Sequence, residues 1–219
     1  MVKTGNTFID YFLLTITFLP LAPALIILFQ KDYSKAPLNL LMMLCLLDFI
    51  KGFSNQTDLL ASDNRNIITN IFSLLELILL IRLFRVPLGK KMREALNIFQ
   101  IAFLSSLLTW LSIKGWGQNN MILDSLLRGI FISVVLLGLP PLVRERGLSI
   151  FNSPLFWIAG GTLFYFLISL LLEWVGPSCG LISGPVDIEG HIFLSIAVLI
   201  RYLLYLLAIL ATHKESLYP

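Results

Sequence analysis

Charge is what this sequence has least of. Asp, Glu, Lys and Arg make up 13% of its 219 residues, about half of the roughly 25% usual in soluble globular chains. A soluble domain of that length needs polar side chains to cover its surface. The shortage argues against a soluble enzyme, a disordered protein and a nucleic-acid binder. Histidine is scarce too: His191 and His213 stand at opposite ends of the last apolar segment. That leaves no histidine cluster for a metal, no His-Glu-x-x-His motif and no facing histidines for haem. Of the two cysteines, Cys45 lies in an apolar run and Cys179 in a loop. They suggest neither a disulfide framework nor a thiolate metal site. There is no phosphate-binding glycine loop, no Gly-x-Ser-x-Gly elbow and no lysine in the middle of the last apolar segment for a retinal Schiff base. No cofactor and no metal are expected.

Apolar length is what the chain does have. Its hydrophobic fraction is 57% and its mean hydropathy is +0.86. A helix needs about 20 residues to cross roughly 30 Å of hydrocarbon. Stretches of that kind run over Thr7–Gln30, Pro37–Phe53, Ile67–Arg85, Ala95–Ile113, Met121–Val143, Leu155–Val175 and His191–Thr212. The expected fold is an all-α membrane protein in which residues 1–219 form a single domain of seven transmembrane helices, with no soluble domain. Helices are expected because lipid leaves no water to satisfy an open backbone. The first span lacks a basic leader and a small-x-small cleavage site, so it reads as a span and not as a signal peptide. Pro20 and Pro23 are expected to kink it, and Pro140 with Pro141 to end or bend the fifth span.

Loop charge gives an orientation. With the N-terminus outside, the inner side holds Lys31, Lys35, Arg82, Arg85, Lys90, Lys91, Arg93, Arg144, Arg146 and Lys214, and the outer side holds Lys3, Lys51, Arg65 and Lys114. This bias predicts N-out and C-in, hence a cytoplasmic C-terminus, in the plasma (inner) membrane. The basic stretches Arg85–Arg93 and Arg144–Arg146 are first of all topology determinants. They are also where anionic lipid or a cytoplasmic protein partner would meet the protein.

Charged residues inside a span cost at least about 2.5–3.5 kcal/mol each on insertion scales. They tend to face the bundle interior, to pair, or to line a cavity. Asp48, Glu76, Asp124, Arg128 and Arg201 are such residues, with Asp10, Glu173 and His191 nearer the outer boundary. Most fall in the outer half, which predicts a polar cavity there. Asn66, Asn70, Ser73 and Glu76 share one face of the third span by their 4, 3, 3 spacing. His191, Ser195, Tyr202 and Tyr205 lie near one face of the seventh, with Arg201 beside it. Asp124 and Arg128 are spaced to pair within one helix. Glu76 and Arg201 have similar depth and opposite charge, so an interhelical pair is expected, with Asp48 as a competing partner. The expected ligand- or partner-binding cavity therefore comprises Asp48, Asn70, Glu76, Asp124, Arg128, His191, Arg201 and Tyr202. Buried pairs of this kind also simply join helices, at ~0.6–2 kcal/mol each.

Several stretches carry a resemblance. They are Asn66 to Glu76 (an acidic residue inside an aliphatic helix), Asp124-Ser125 with Arg128, Asn152-Ser153-Pro154 leading to Trp157, Gly160-Gly161 and Tyr165, and the start of the last span at His191. Together they resemble a group of small, poorly characterised bacterial seven-helix membrane proteins that look like sensor modules of signalling systems. The resemblance implies no established activity or ligand. Arg201 stands where a neutral polar residue is expected, so ligand type does not carry over. A weaker similarity is to eight-helix lysoplasmalogenase-like enzymes. The expected function is a non-enzymatic, receptor-like sensor or accessory subunit of a membrane complex. The alternatives are a membrane-embedded lipid-modifying hydrolase, in which Asp48, Glu76, Asp124 and His191 would supply acid and base, and a small transporter.

Overall fold

The computed structural model describes the backbone of residues 7–31, 36–56, 62–115, 121–175 and 188–217. Among these it is all-helical. The elements are α1 (Thr7–Phe18), α2 (Leu21–Phe29), α3 (Ala36–Gln56), α4 (Ser62–Phe84), α5 (Lys90–Lys114), α6 (Met121–Arg146), α7 (Pro154–Val175) and α8 (Ile188–Leu217), with a 3-10 segment Gly147–Asn152 before α7. Helices α3 to α8 are six helices long and apolar enough to cross a membrane, and Leu14–Phe29 is a shorter apolar stretch. The chain is thus a multi-pass helical bundle with the length and composition of a membrane protein. The six later spans anticipated from hydropathy coincide with α3 to α8 to within a few residues.

The first span differs from its expectation: it is broken, not merely kinked. Pro20 has no N–H to give to the Ile16 carbonyl, and its ring crowds that carbonyl. The chain turns tightly on both sides of it, with the Leu19 N–H donating to Ile16 O at 3.2 Å and the Ala22 N–H to Leu19 O at 3.1 Å. Pro23 breaks nothing further, because it falls in the first turn of α2, where N–H groups have no partner within the helix. Of the two outcomes expected at Pro140 and Pro141, an end to the helix does not occur: α6 runs through them to Arg146. Membrane helices tolerate proline where neighbouring groups satisfy the freed carbonyls.

The helices form a closed ring: α2–α3–α4–α6–α7–α8, with α8 returning to α2. Helix α1 leans on α3 and α8. Helix α5 stands outside the ring, packed chiefly against α4, and exposes Ile98, Ile101 and Ile113 on its outer face. Its Ser105, Ser106, Thr109 and Ser112 hydroxyls each donate to the carbonyl four residues back, so they remain satisfied away from water.

The interior of the ring has two halves. One lies toward the C-terminal ends of α3 and α7 and the N-terminal ends of α4, α6 and α8; the other lies toward the opposite ends. The second half is packed with aliphatic side chains: Leu38, Leu41 and Leu44 of α3, Leu77, Leu80, Ile81 and Phe84 of α4, Val134, Val135 and Leu142 of α6, Ile158 of α7 and Ile209 of α8. The steps of three and four along each helix keep these residues on one inward stripe. Close approach is set by glycine at two contacts. A Cβ on Gly161 of α7 would lie 2.9 Å from the Arg201 carbonyl oxygen of α8, and one on Gly138 of α6 would lie 3.2 Å from the Phe84 carbonyl oxygen of α4.

Candidate functional site

The first half of the ring is polar, and Arg201 is at its centre. This side chain is buried near the middle of α8. Its Nη2 is 3.2 Å from Asp48 Oδ2 of α3 and 3.4 Å from Glu76 Oε1 of α4. Its Nε donates to the Tyr205 hydroxyl oxygen one turn on, at 2.8 Å, and that hydroxyl shares a 3.0 Å hydrogen bond with Thr162 of α7. The Tyr202 hydroxyl donates to Asp48 Oδ2 at 2.7 Å. Around the guanidinium lie the rings of Tyr165 (4.8 Å from its centroid), Tyr205 (5.3 Å), Phe166 (5.5 Å) and Tyr202 (5.8 Å). The faces of aromatic rings attract a cation, more so when it is desolvated. Lys51 completes the group, with Nζ 3.7 Å from Glu76 Oε2 and donating to Ser73 Oγ at 3.0 Å. Two cations and two carboxylates make the cluster formally neutral, which is how buried charge is tolerated in a low dielectric.

A second pair joins α6 to α7. Arg128 Nη1 donates to Glu173 Oε2 at 2.7 Å and to the Ser169 carbonyl at 3.2 Å. One residue on, Trp174 Nε1 donates to Ser125 Oγ at 3.3 Å. The α6–α7 contact in this half thus combines these polar pairs with the Phe131–Phe166 ring contact, at 4.5 Å between centroids.

These groups surround a cavity of about 370 Å³, lined by Asp48, Lys51, Glu76, Arg128, Arg201 and Tyr202, with Tyr165, Phe166 and Phe131 forming an aromatic wall. The break between α1 and α2 also borders it through Thr17 and Pro20. Helices α3, α4, α6, α7 and α8 of the ring all contribute, α1 adds Ile16 and Thr17, and neither α2 nor α5 supplies a lining residue. Its size falls at the low end of small-molecule pockets, roughly 300–1,000 Å³. Chemically the arrangement holds charge: Lys51, Arg128 and Arg201 offer donors, and Asp48 and Glu76 offer acceptors, around one small volume. Among the described residues no three His, Cys, Asp or Glu side chains gather to hold a metal ion.

Of the residues singled out in the sequence, the structure brings together Asp48, Glu76, Arg128, Arg201 and Tyr202. The Glu76–Arg201 pair forms, and Asp48 does not compete for Arg201 but shares it. Asn70 is half-buried on α4 and has an interaction of its own, yet it does not line the cavity. Asp124 and His191 belong to the first turns of α6 and α8, and their side chains lie outside the described residues. Arg128 is engaged by Glu173 across the helix interface. Lys51, counted among the outer-side charges, reaches Glu76 and Ser73 of α4 and lines the cavity. Its i, i+3 spacing from Asp48 places both on one face of α3, a signal present in the sequence. Tyr165 and Phe166 are harder to find from the sequence, because aromatic residues recur along α7; the hint is that both fall on the face marked by Thr162, Ser169 and Glu173.

Comparison with protein-family models, with curated proteins and with solved structures finds no significant match for this chain.

Proposed function

We propose that this chain is a receptor-like sensor or an accessory subunit of a membrane complex, using its polar cavity to bind a ligand or a partner segment. In this reading the broken α1–α2 pair and α3 to α8 make seven crossings of the plasma (inner) membrane. The N-terminus and the cavity lie outside and the C-terminus is cytoplasmic, as the excess of Lys and Arg at the α2–α3, α4–α5 and α6–α7 connections favours. The observation that carries the reading is the division of the ring interior. A charged cavity occupies one half, and aliphatic side chains fill the other. One-sided access suits a binding pocket better than a transport path, which needs polar continuity to both faces. Asp48 and Glu76 are both engaged by Arg201, so neither stands free as the acid or base that a carboxylate hydrolase needs. The resemblance to bacterial sensor modules points the same way.

Purification in mild detergent, followed by mass spectrometry of bound proteins and lipids, tests the reading. A stoichiometric partner or ligand should accompany the wild-type chain and be lost from Val198→Phe, which fills the cavity. A monomeric protein that comes alone and turns over phospholipid would overturn it.

A further inference from the structure

The two more exposed charges at the cavity are both cations. Lys51 keeps 26% and Arg128 28% of the side chain exposed, against 5% for Glu76, 11% for Asp48 and 12% for Glu173. A group reaching the cavity therefore meets positive charge first, although the whole set with Arg201 is formally neutral. Lys51 is the less neutralised of the two. Its contact with Glu76 is long, at 3.7 Å, and its 3.0 Å hydrogen bond goes to a neutral hydroxyl. The two cations stand on different helices, α3 and α6. The same cavity has an apolar wall: Phe166 packs on Phe131 with ring centroids 4.5 Å apart, and Leu127 and Val198 are part of the lining.

We propose that Lys51 and Arg128 together bind a phosphate-bearing group, with the remainder of its ligand against the Phe131–Phe166 wall. Phosphate fits better than carboxylate because its oxygens point in several directions and can meet an ammonium on one side and a guanidinium fork on the other. The phosphate belongs either to a lipid headgroup or to a small soluble ester. The inference rests on reading this cavity as a binding site, and its failure can be told from the failure of that reading.

The test uses the full chain in dodecyl maltoside, with thermal shift and native mass spectrometry as readouts. The probes are inorganic phosphate, succinate, phosphatidylglycerol in mixed micelles, and diacylglycerol as the phosphate-free lipid control. Phosphate or phosphatidylglycerol should stabilise the protein, and succinate and diacylglycerol should not. A response to inorganic phosphate assigns a soluble source, and a response to phosphatidylglycerol alone assigns the headgroup. Lys51→Gln should weaken binding about ten- to hundredfold, the loss expected for one charge-assisted contact. Glu173→Gln removes the carboxylate competing for Arg128 and should tighten it. If Lys51→Gln does not fold, the Arg128→Gln/Glu173→Gln double variant, which leaves no orphan charge, must show the weakening instead. Equal responses to succinate or diacylglycerol, or unchanged affinity in a folded variant, overturn the inference. A ligand that co-purifies and is lost on filling the cavity, with no response to either phosphate probe, overturns the inference alone. No partner and no ligand overturns both readings.

Discussion

Arg201 joins three helices through one guanidinium, and the consequences of removing it follow from what it leaves behind. Arg201→Gln exposes Asp48 and Glu76 to each other as like charges in a low dielectric. Breaking a buried pair from one side costs ~3–5 kcal/mol, and here two carboxylates lose Arg201 at once, with Glu76 keeping only its 3.7 Å contact with Lys51. Glu76→Gln is milder, because Arg201 keeps Asp48 at 3.2 Å and the Tyr205 hydroxyl at 2.8 Å; a loss of ~1.5–3 kcal/mol is expected for a hydrogen bond to a charged group. The Glu76→Gln/Arg201→Gln double variant should recover only part of the Arg201→Gln loss, since Asp48 stays orphaned. Adding Asp48→Asn should recover most of it. Thermal unfolding in detergent measures each step. Strictly additive losses would show that the three side chains do not interact. If they only brace the helices, the triple variant should regain ligand or partner binding along with stability. If they read a ligand, stability should return without binding.

Helices α7 and α8 make the tightest contact in the ring, and its closeness depends on one missing side chain. A Cβ at Gly161 would meet the Arg201 carbonyl oxygen at 2.9 Å, with Leu204 Cβ and Tyr205 Cε1 at 3.3 Å. The carbonyl is backbone and cannot swing aside, so α8 would have to move and carry Arg201 and Tyr205 with it. Gly161→Ala should therefore destabilise by ~1–3 kcal/mol, the usual cost of overpacking, and should also disturb the cavity. Gly160 is the control. Its nearest neighbour would be Leu204 Cδ1 at 3.9 Å, the end of a flexible side chain, so Gly160→Ala should be tolerated. A ligand-dependent thermal shift that survives Gly161→Ala unchanged would show that the α7–α8 spacing does not position Arg201. At the α1–α2 break the same kind of local device acts in reverse: Pro20 opens the backbone beside the cavity instead of closing it.

For the molecule as a whole, the ring divides its interior by polarity while its exterior carries large exposed apolar side chains on every helix from α2 to α8, such as Phe29, Met43, Ile71, Ile101, Leu136, Leu171 and Leu203. An exterior of that kind suits lipid on every side. Orientation across the bilayer is a separate property, carried by loop charge. Cysteines placed at Ser62 and at Ser183, which lies outside the described residues, should react with a membrane-impermeant thiol reagent in intact cells when Cys45 and Cys179 have been replaced. One at Gly89, in the exposed α4–α5 turn, should react only after lysis. The opposite pattern would reverse the N-out assignment, and labelling at all three sites would mean that the crossings had been miscounted.

The bundle was legible without coordinates because hydropathy over some twenty residues is a local property: α3 to α8 begin and end close to where the apolar runs do. So was the Glu76–Arg201 pair, since two opposite charges at similar depth in a low dielectric have little choice but to meet. Three features were not legible, each for a non-local reason. The exclusion of α5 from the ring depends on α4 and α6 packing directly on each other, which Gly138 against Phe84 permits and no periodicity in α5 announces. The partner of Arg128 is Glu173, 45 positions along the chain. Helical spacing ranks neighbours within one helix and says nothing about which helix will lie alongside. The aromatic side of Arg201, formed by Tyr165 and Phe166, comes from a helix in which aromatic residues also stand at Phe156, Trp157 and Phe164, so an aromatic side chain alone does not say which face is inward. Only the packing of α7 on α8, as close as Gly161 allows, decides which of its faces meets the charge.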